Sequence, residues 1–286
     1  MNSISRRKFL GSSAAIGAGI AFIPNLISCS PVQKKLNVAI IGVGGRGKSQ
    51  WGACTEDNVV ALCDVDATRA REGFNTFPNA KKYTDFRKMM DEMAGQIDAV
   101  MISTPDHTHF PAAMAAMELN KHVLVEKPMA TCLEECDAMI EASERTGKKL
   151  MNGYFEMFHP VYYKAKELID QGAIGQVFFM KAIMAWFSDA ANWRFDPKIG
   201  GGGILMDGHI HHSAMFKYYT GSDAKWVTTQ GGTLASDAPV EDTAVTLIRS
   251  DTALAEISGS NRLKMPNSQN GRFFQEYIEL YGTDGT

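Results

Sequence analysis

Residues 38–49 read VAIIGVGGRGKS. A short apolar run, Leu36–Ile41, predicts a strand, and it ends in Gly42-Val43-Gly44-Gly45-Arg46-Gly47. Gly42, Gly44 and Gly47 form G-x-G-x-x-G directly after that strand. In such a turn the first glycine permits the tight bend. The second lets the backbone approach a pyrophosphate, and the third lets helix and strand pack closely. A helix opening at this point offers free N–H groups and a positive dipole end to phosphates. The fold therefore follows from what surrounds the turn.

Downstream, Asn58–Cys63 predicts a second strand ending at Asp64. An acid about 20 residues past the turn accepts hydrogen bonds from ribose hydroxyls. It also repels a ribose phosphate, so NAD is expected and NADP disfavoured. Asp66 is a second candidate for that role, or else a helix N-cap before Ala67–Asn75. Helices are predicted over Phe86–Met93, Pro111–Leu119 and Leu133–Thr146, and strands over Asp98–Ser103, His122–Val125 and Lys149–Met151. This alternation predicts a doubly wound parallel sheet over residues 36–150. Its ligands belong at the carboxyl ends of the strands. Two further stretches fall there, Ser103-Thr104-Pro105-Asp106-His107-Thr108-His109 and Glu126-Lys127-Pro128.

Taken in order, the glycine turn, Cys63-Asp64-Val65-Asp66, the Ser103–His109 stretch and KHVLVEKP at residues 121–128 resemble the Gfo/Idh/MocA family. That family includes glucose–fructose oxidoreductase and inositol dehydrogenase. The resemblance implies a second α+β domain, residues 151–286, built on a largely antiparallel open sheet, one face of which closes the active site. The residues agree: a helix over Pro160–Gln171 is followed by strand-like runs without helical crossovers, among them Val177–Phe187, Ala224–Leu234, Ala244–Ile248 and Ala253–Ser258. Homo-oligomers through the open sheet face are also implied.

The resemblance assigns roles to Lys127, Asp207 and His211, the last two spaced as in the family behind Gly201-Gly202-Gly203. Hydride leaves an alcohol carbon only when the hydroxyl proton also leaves, so a base is needed nearby. His211 suits that task, because histidine titrates near working pH. Asp207 is expected to orient the imidazole, and Lys127 to stabilise the developing alkoxide. Gly45 and Arg46 join the glycine turn as cofactor contacts, and Thr104, Pro105, His107, Glu126 and Lys127 border the nicotinamide side. His209, His211 and His212 with Asp207 also admit a metal site, but neighbouring helical positions point apart, so no metal is expected. In the family the glycine stands nearer the histidine than Gly208 does here. The stretch NGYFEMFHP at 152–160 departs further, carrying Glu156 and Met157 where many relatives carry a basic residue.

The first thirty residues predict a processed leader. Ser5-Arg6-Arg7-Lys8-Phe9-Leu10 resembles a twin-arginine export motif, and an apolar stretch follows it. Leu26-Ile27-Ser28-Cys29 resembles a lipobox, which implies a lipid on Cys29 and a periplasmic or membrane-anchored location. The net charge of −3 and the lack of a basic block past the leader argue against nucleic acid as partner. Glu276–Tyr281 predicts a strand, and the Asp284-Gly285 turn asks for a returning strand where only Thr286 follows. The chain is therefore expected to be shortened relative to the family.

The expected activity is hydride transfer between a sugar or polyol carbon and tightly bound NAD. Export suits a protein that folds around its cofactor before translocation and returns it to the starting redox state in each cycle. NAD-dependent glycoside cleavage through a transient keto sugar is an alternative, and a non-catalytic sugar-binding lipoprotein is another.

Overall fold

In a computed structural model, residues 35–54, 56–188, 192–263 and 274–286 are described. The export and lipobox motifs lie outside them. The first sheet has six strands: β1 (Asn37–Ile41), β2 (Asn58–Cys63), β3 (Lys81–Tyr83), β4 (Ala99–Ile102), β5 (His122–Val125) and β6 (Leu150–Asn152). Their order is β3-β2-β1-β4-β5-β6 and every pairing is parallel. Order and direction are those of a doubly wound dinucleotide-binding domain. The inner strands NVAII and AVMI are apolar at nearly every position because helices cover both faces of the sheet.

Those helices are α1 (Arg46–Trp51), α2 (Ala67–Thr76), α3 (Phe86–Met93), α4 (His109–Glu118) and α5 (Leu133–Thr146). Local chemistry sets their ends. Asp66 caps α2, its carboxylate accepting from the N–H groups of Thr68 and Arg69, and Asp85 caps α3 through Arg87 N–H. Asp66 is thus an N-cap. On one side of the sheet the core is rich in methionine, with Met89, Met90, Met117 and Met139 fully buried.

The second sheet holds β7 (Val177–Trp186), β8 (Trp226–Gly232), β9 (Thr243–Arg249), β10 (Leu254–Ser260) and β11 (Phe274–Gly282), in the order β11-β7-β10-β9-β8. It is mostly antiparallel, but β7 and β10 run parallel. Helices α6 (Pro160–Asp170) and α7 (Ile210–Thr220) cover one face, where Met180, Ala182, Met215, Phe216 and Ile257 form the core. Strand β11 is an edge strand, and Gly282 turns back on Gly285 through a backbone hydrogen bond of 2.8 Å. Both sheets lie within one compact unit, Leu36–Thr286.

Candidate active site

The glycine turn is as tight as glycines allow. Gly42 has φ +85°, and a Cβ there would lie 2.6 Å from the Ser103 carbonyl carbon at the end of β4. A Cβ on Gly47 would lie 2.0 Å from the Gly42 oxygen. Around Gly45 the space is open, with no atom of the described residues within 4 Å of where a Cβ would be. The turn therefore presents bare backbone on the side where a pyrophosphate would lie. Asp64, at the end of β2, accepts from Val43 N–H (2.8 Å) and Gly44 N–H (3.1 Å) through Oδ2, and from Asp66 N–H (2.8 Å) through Oδ1. Both lone-pair sites of Oδ2 are thus taken, and Oδ1 keeps capacity for a hydroxyl donor. The cradle and its acid fit a dinucleotide.

Arg46 turns from the glycines toward β5. Its Nε lies 2.7 Å from Glu126 Oε1, and its guanidinium sits 5.1 Å over the Phe155 ring. Gln50 also donates to Glu126 Oε1, and Ser103 Oγ donates to Gln50 Oε1 at 3.1 Å. Glu126 is buried, and this hub joins the helix after the turn to the ends of β4 and β5. The Thr104 hydroxyl is buried without a hydrogen-bond partner among the described residues. Pro105 starts a single 3-10 turn, Asp106–Thr108. His107 is exposed, and both its N–H and its ring Nδ1 lie 3.3 Å from the Ile199 carbonyl oxygen, which ties this turn to the loop before the glycine run. His109 is fully buried between the carbonyls of Pro128 (2.7 Å) and Thr104 (2.9 Å), so it fastens the two strand-end motifs together.

Lys127 reaches across to the second sheet's side of the site. Its Nζ donates to Asp207 Oδ1 at 2.7 Å and to the Asp207 carbonyl at 2.8 Å. Arg194 Nε lies 3.4 Å from the other carboxylate oxygen. Burial drives the Asp207 carboxyl upward, but the Lys127 and Arg194 cations outweigh it and hold the group below its ordinary pKa. Asp106 behaves oppositely. Burial pushes its carboxyl up to about 7, and the Asp207 and Glu126 charges add to the rise against the pull of Lys127 and Arg194.

Asp207 stands in a π-helical turn, Leu205–His209, which runs into α7. Such turns concentrate at functional sites. Glu241 anchors its start, accepting from Gly203 N–H (3.0 Å) and Leu205 N–H (3.1 Å). Gly208 packs closely here: a Cβ would lie 2.8 Å from Ile204 Cδ1 and 3.1 Å from the Trp186 ring, so both would have to give way.

The expected pairing of Asp207 with His211 is replaced by another. His211 Nδ1 abuts Glu156 Oε1, and the carboxylate of Asp207 is taken by Lys127 and Arg194. The reason is the packing of the 3-10 turn Phe155–Phe158 against α7, which buries Glu156 to 1% exposure beside the imidazole. The three histidines diverge. His209 Nδ1 meets Thr246 Oγ1 at 2.9 Å, and burial, reinforced by the His212 charge, lowers its pKa to about 4. His212 Nε2 faces Glu276 Oε1 at 3.4 Å. Sequence reading assigned no role to Glu156, Arg194, Asp106 or Gln50. For Glu156 a signal existed, because it stands in a stretch that departs from the family's pattern.

Residues 36–154 match the oxidoreductase family with an NAD-binding Rossmann fold, and residues 162–286 match the GFO/IDH/MocA C-terminal domain. The chain is 31% identical to a D-xylose 1-dehydrogenase (NADP+) of Haloarcula marismortui over 86% of its own length and 70% of the relative's. The chain belongs to the GFO/IDH/MocA family. It is also 28% identical to a myo-inositol 2-dehydrogenase of Thermotoga maritima, over 87% of this chain and 74% of that one. Among solved structures, levoglucosan dehydrogenase in complex with NADH matches with a TM-score of 0.77 at 26% identity, covering 87% of this chain and 72% of that one. Membership makes the chain an oxidoreductase, and its first domain is an NAD-binding one.

Proposed function

We propose that the protein oxidises a CH–OH group of a sugar or polyol, or reduces the corresponding carbonyl. The observation that carries this reading is the meeting of Lys127, at the carboxyl end of β5, with Asp207 from the second domain. That point lies at the same strand ends as the glycine turn, where a parallel sheet binds its ligands. Relatives that act on inositol, xylose and levoglucosan support the substrate class.

Bound NAD supplies the hydride acceptor. The glycine turn and Asp64 hold the cofactor, with Thr104, Pro105, His107 and Glu126 on its nicotinamide side. Lys127 Nζ donates to the reacting oxygen, and Asp207 keeps that ammonium in place. His211 takes the hydroxyl proton at Nε2, the ring nitrogen left available when Nδ1 faces Glu156. Lys127 acts on charge that grows during the reaction, where a preorganised donor contributes most.

The export and lipobox motifs support a protein that folds around NAD in the cytoplasm and leaves with it. Such an enzyme regenerates its cofactor within each cycle, by coupling one sugar's oxidation to another's reduction. Two measurements test the reading. One portion of protein purified without added cofactor is denatured and assayed for NAD(H) and NADP(H), and a second, native portion is screened against polyols, sugars and aryl glycosides. Near-stoichiometric NAD with polyol oxidation is expected, whereas release of aryl aglycone without net oxidation would replace dehydrogenation by glycoside cleavage. Mass spectrometry of the mature N-terminus tests lipidation, which fails if the chain starts unmodified elsewhere than at Cys29.

A further inference from the structure

We propose that Glu156 is the positioning residue of His211: it accepts from Nδ1–H, fixes the ring tautomer and frees Nε2 for the substrate proton. The inference rests on the proposed role of His211 as base. Three observations carry it. First, Glu156 is 1% exposed and His211 6%, and His211 Nδ1 abuts Glu156 Oε1. Second, both Glu156 oxygens and His211 Nδ1 are buried and none of the three makes a hydrogen bond among the described residues, so the two groups meet as a close ion-pair contact that a small turn of the ring converts into a hydrogen bond. A carboxylate buried without a partner is costly, so His211 is what makes it tolerable there. Third, Asp207 is committed elsewhere, one oxygen to Lys127 and the other to Arg194.

The remaining surroundings of the ring restrict it further. Tyr154 and Phe155 stand edge-on to the imidazole, with centroids 6.2 and 6.0 Å away. Among the described residues, Asp207 and Glu276 also lie near enough to interact with His211 electrostatically. Glu276 is itself engaged by His212, on the next position of α7. Glu156 and Glu276 thus each face an imidazole of their own. In the reaction the substrate proton moves to Nε2 while Nδ1–H stays with Glu156. The carboxylate stabilises the imidazolium without taking a proton, and no electrons leave the ring.

Nitrogen-15 NMR of the full chain labelled at histidine tests this without turnover, the His211 signal being the one lost in His211→Asn. Neutral His211 is expected as the Nδ1–H tautomer in the unmodified protein. Glu156→Met removes the acceptor at similar volume and shifts the ring toward Nε2–H, whereas Asp207→Asn leaves the tautomer unchanged. An Nε2–H ring in the unmodified protein, or a tautomer change in Asp207→Asn alone, overturns the proposal. In steady state, Glu156→Gln lowers kcat about 10²–10⁴-fold with KM nearly constant, and Glu156→Asp recovers part of that loss. Equal losses in the two variants overturn the proposal as well. Failure of the functional reading registers separately, as no bound nucleotide and no polyol oxidation.

Discussion

Lys127 Nζ lies 2.7 Å from Asp207 Oδ1 and 2.8 Å from the carbonyl oxygen of the same residue. One side chain thus fastens the end of a Rossmann strand to the π-helical turn of the second domain. The Lys127 side chain is 13% exposed, shielded enough that a fixed charge there acts through little water.

Lys127→Ala is therefore expected to lower kcat/KM about 10²–10³-fold, the loss typical of removing one preorganised donor. NAD content after purification should stay close to that of the unmodified protein. Steady-state kinetics and the nucleotide assay check the two halves. Loss of nucleotide together with activity would make Lys127 a cofactor contact first.

The glycine turn separates close approach from mere flexibility. Gly47→Ala forces a Cβ to 2.0 Å from a backbone oxygen, and overpacking of this kind costs about 1–3 kcal/mol. Gly52, at the end of α1, has φ −58° and ψ −29° with open space around it. Differential scanning fluorimetry should show Gly47→Ala melting about 2–10 °C lower. Gly52→Ala should melt at the same temperature or slightly higher.

Asp64→Ala removes a charged acceptor from the ribose side and from the Val43 and Gly44 N–H groups. The Kd for NAD should rise about 10–100-fold. The Kd for NADP should change less, because the repulsion of its phosphate goes with the carboxylate. Isothermal titration with both nucleotides reads the ratio directly.

Asp106 carries a pH signature. Its carboxyl is raised from the usual 3.8 to about 7, so between those values the folded protein keeps a proton that the unfolded chain has released. Stability contributed by this residue is therefore lost as pH rises from about 4 to 7. Asp106→Asn has no such proton to hold. Its melting temperature relative to the unmodified protein should climb from pH 5 to pH 7 and then level off, by at least about 2 °C in all. A constant difference across that range would show that Asp106 ionises normally.

Most of the first domain is legible along the chain because its signals are local. A buried strand, a glycine turn and an acid at the next strand's end all fall within one βαβ unit. Strand β3 escapes because Lys81-Lys82-Tyr83 is short and only Tyr83 points inward. The parallel pairing of β7 with β10 escapes for a different reason: it depends on which strand ends meet in space, and a run of strands without crossovers does not encode that. The site divides in the same way. Lys127, Asp207 and His211 stand in recognisable motifs. Their partners do not follow from those motifs, since Lys127 finds Asp207 across 80 positions and His211 finds Glu156 through the packing of a 3-10 turn.

The guanidinium of Arg46 over the Phe155 ring has a thermodynamic consequence. Arg46 belongs to the glycine turn proposed to hold the pyrophosphate, and Phe155 stands edge-on to His211. An anion arriving at the turn competes with the ring for the same cation. Nucleotide occupancy and the seating of His211 thus share one residue pair, and coupling of that kind is reciprocal. Whatever factor the nucleotide imposes on substrate affinity, the substrate imposes equally on the nucleotide. Under the proposed export no pool would replace a lost nucleotide, so a substrate that tightened this grip would also prolong the enzyme's working life.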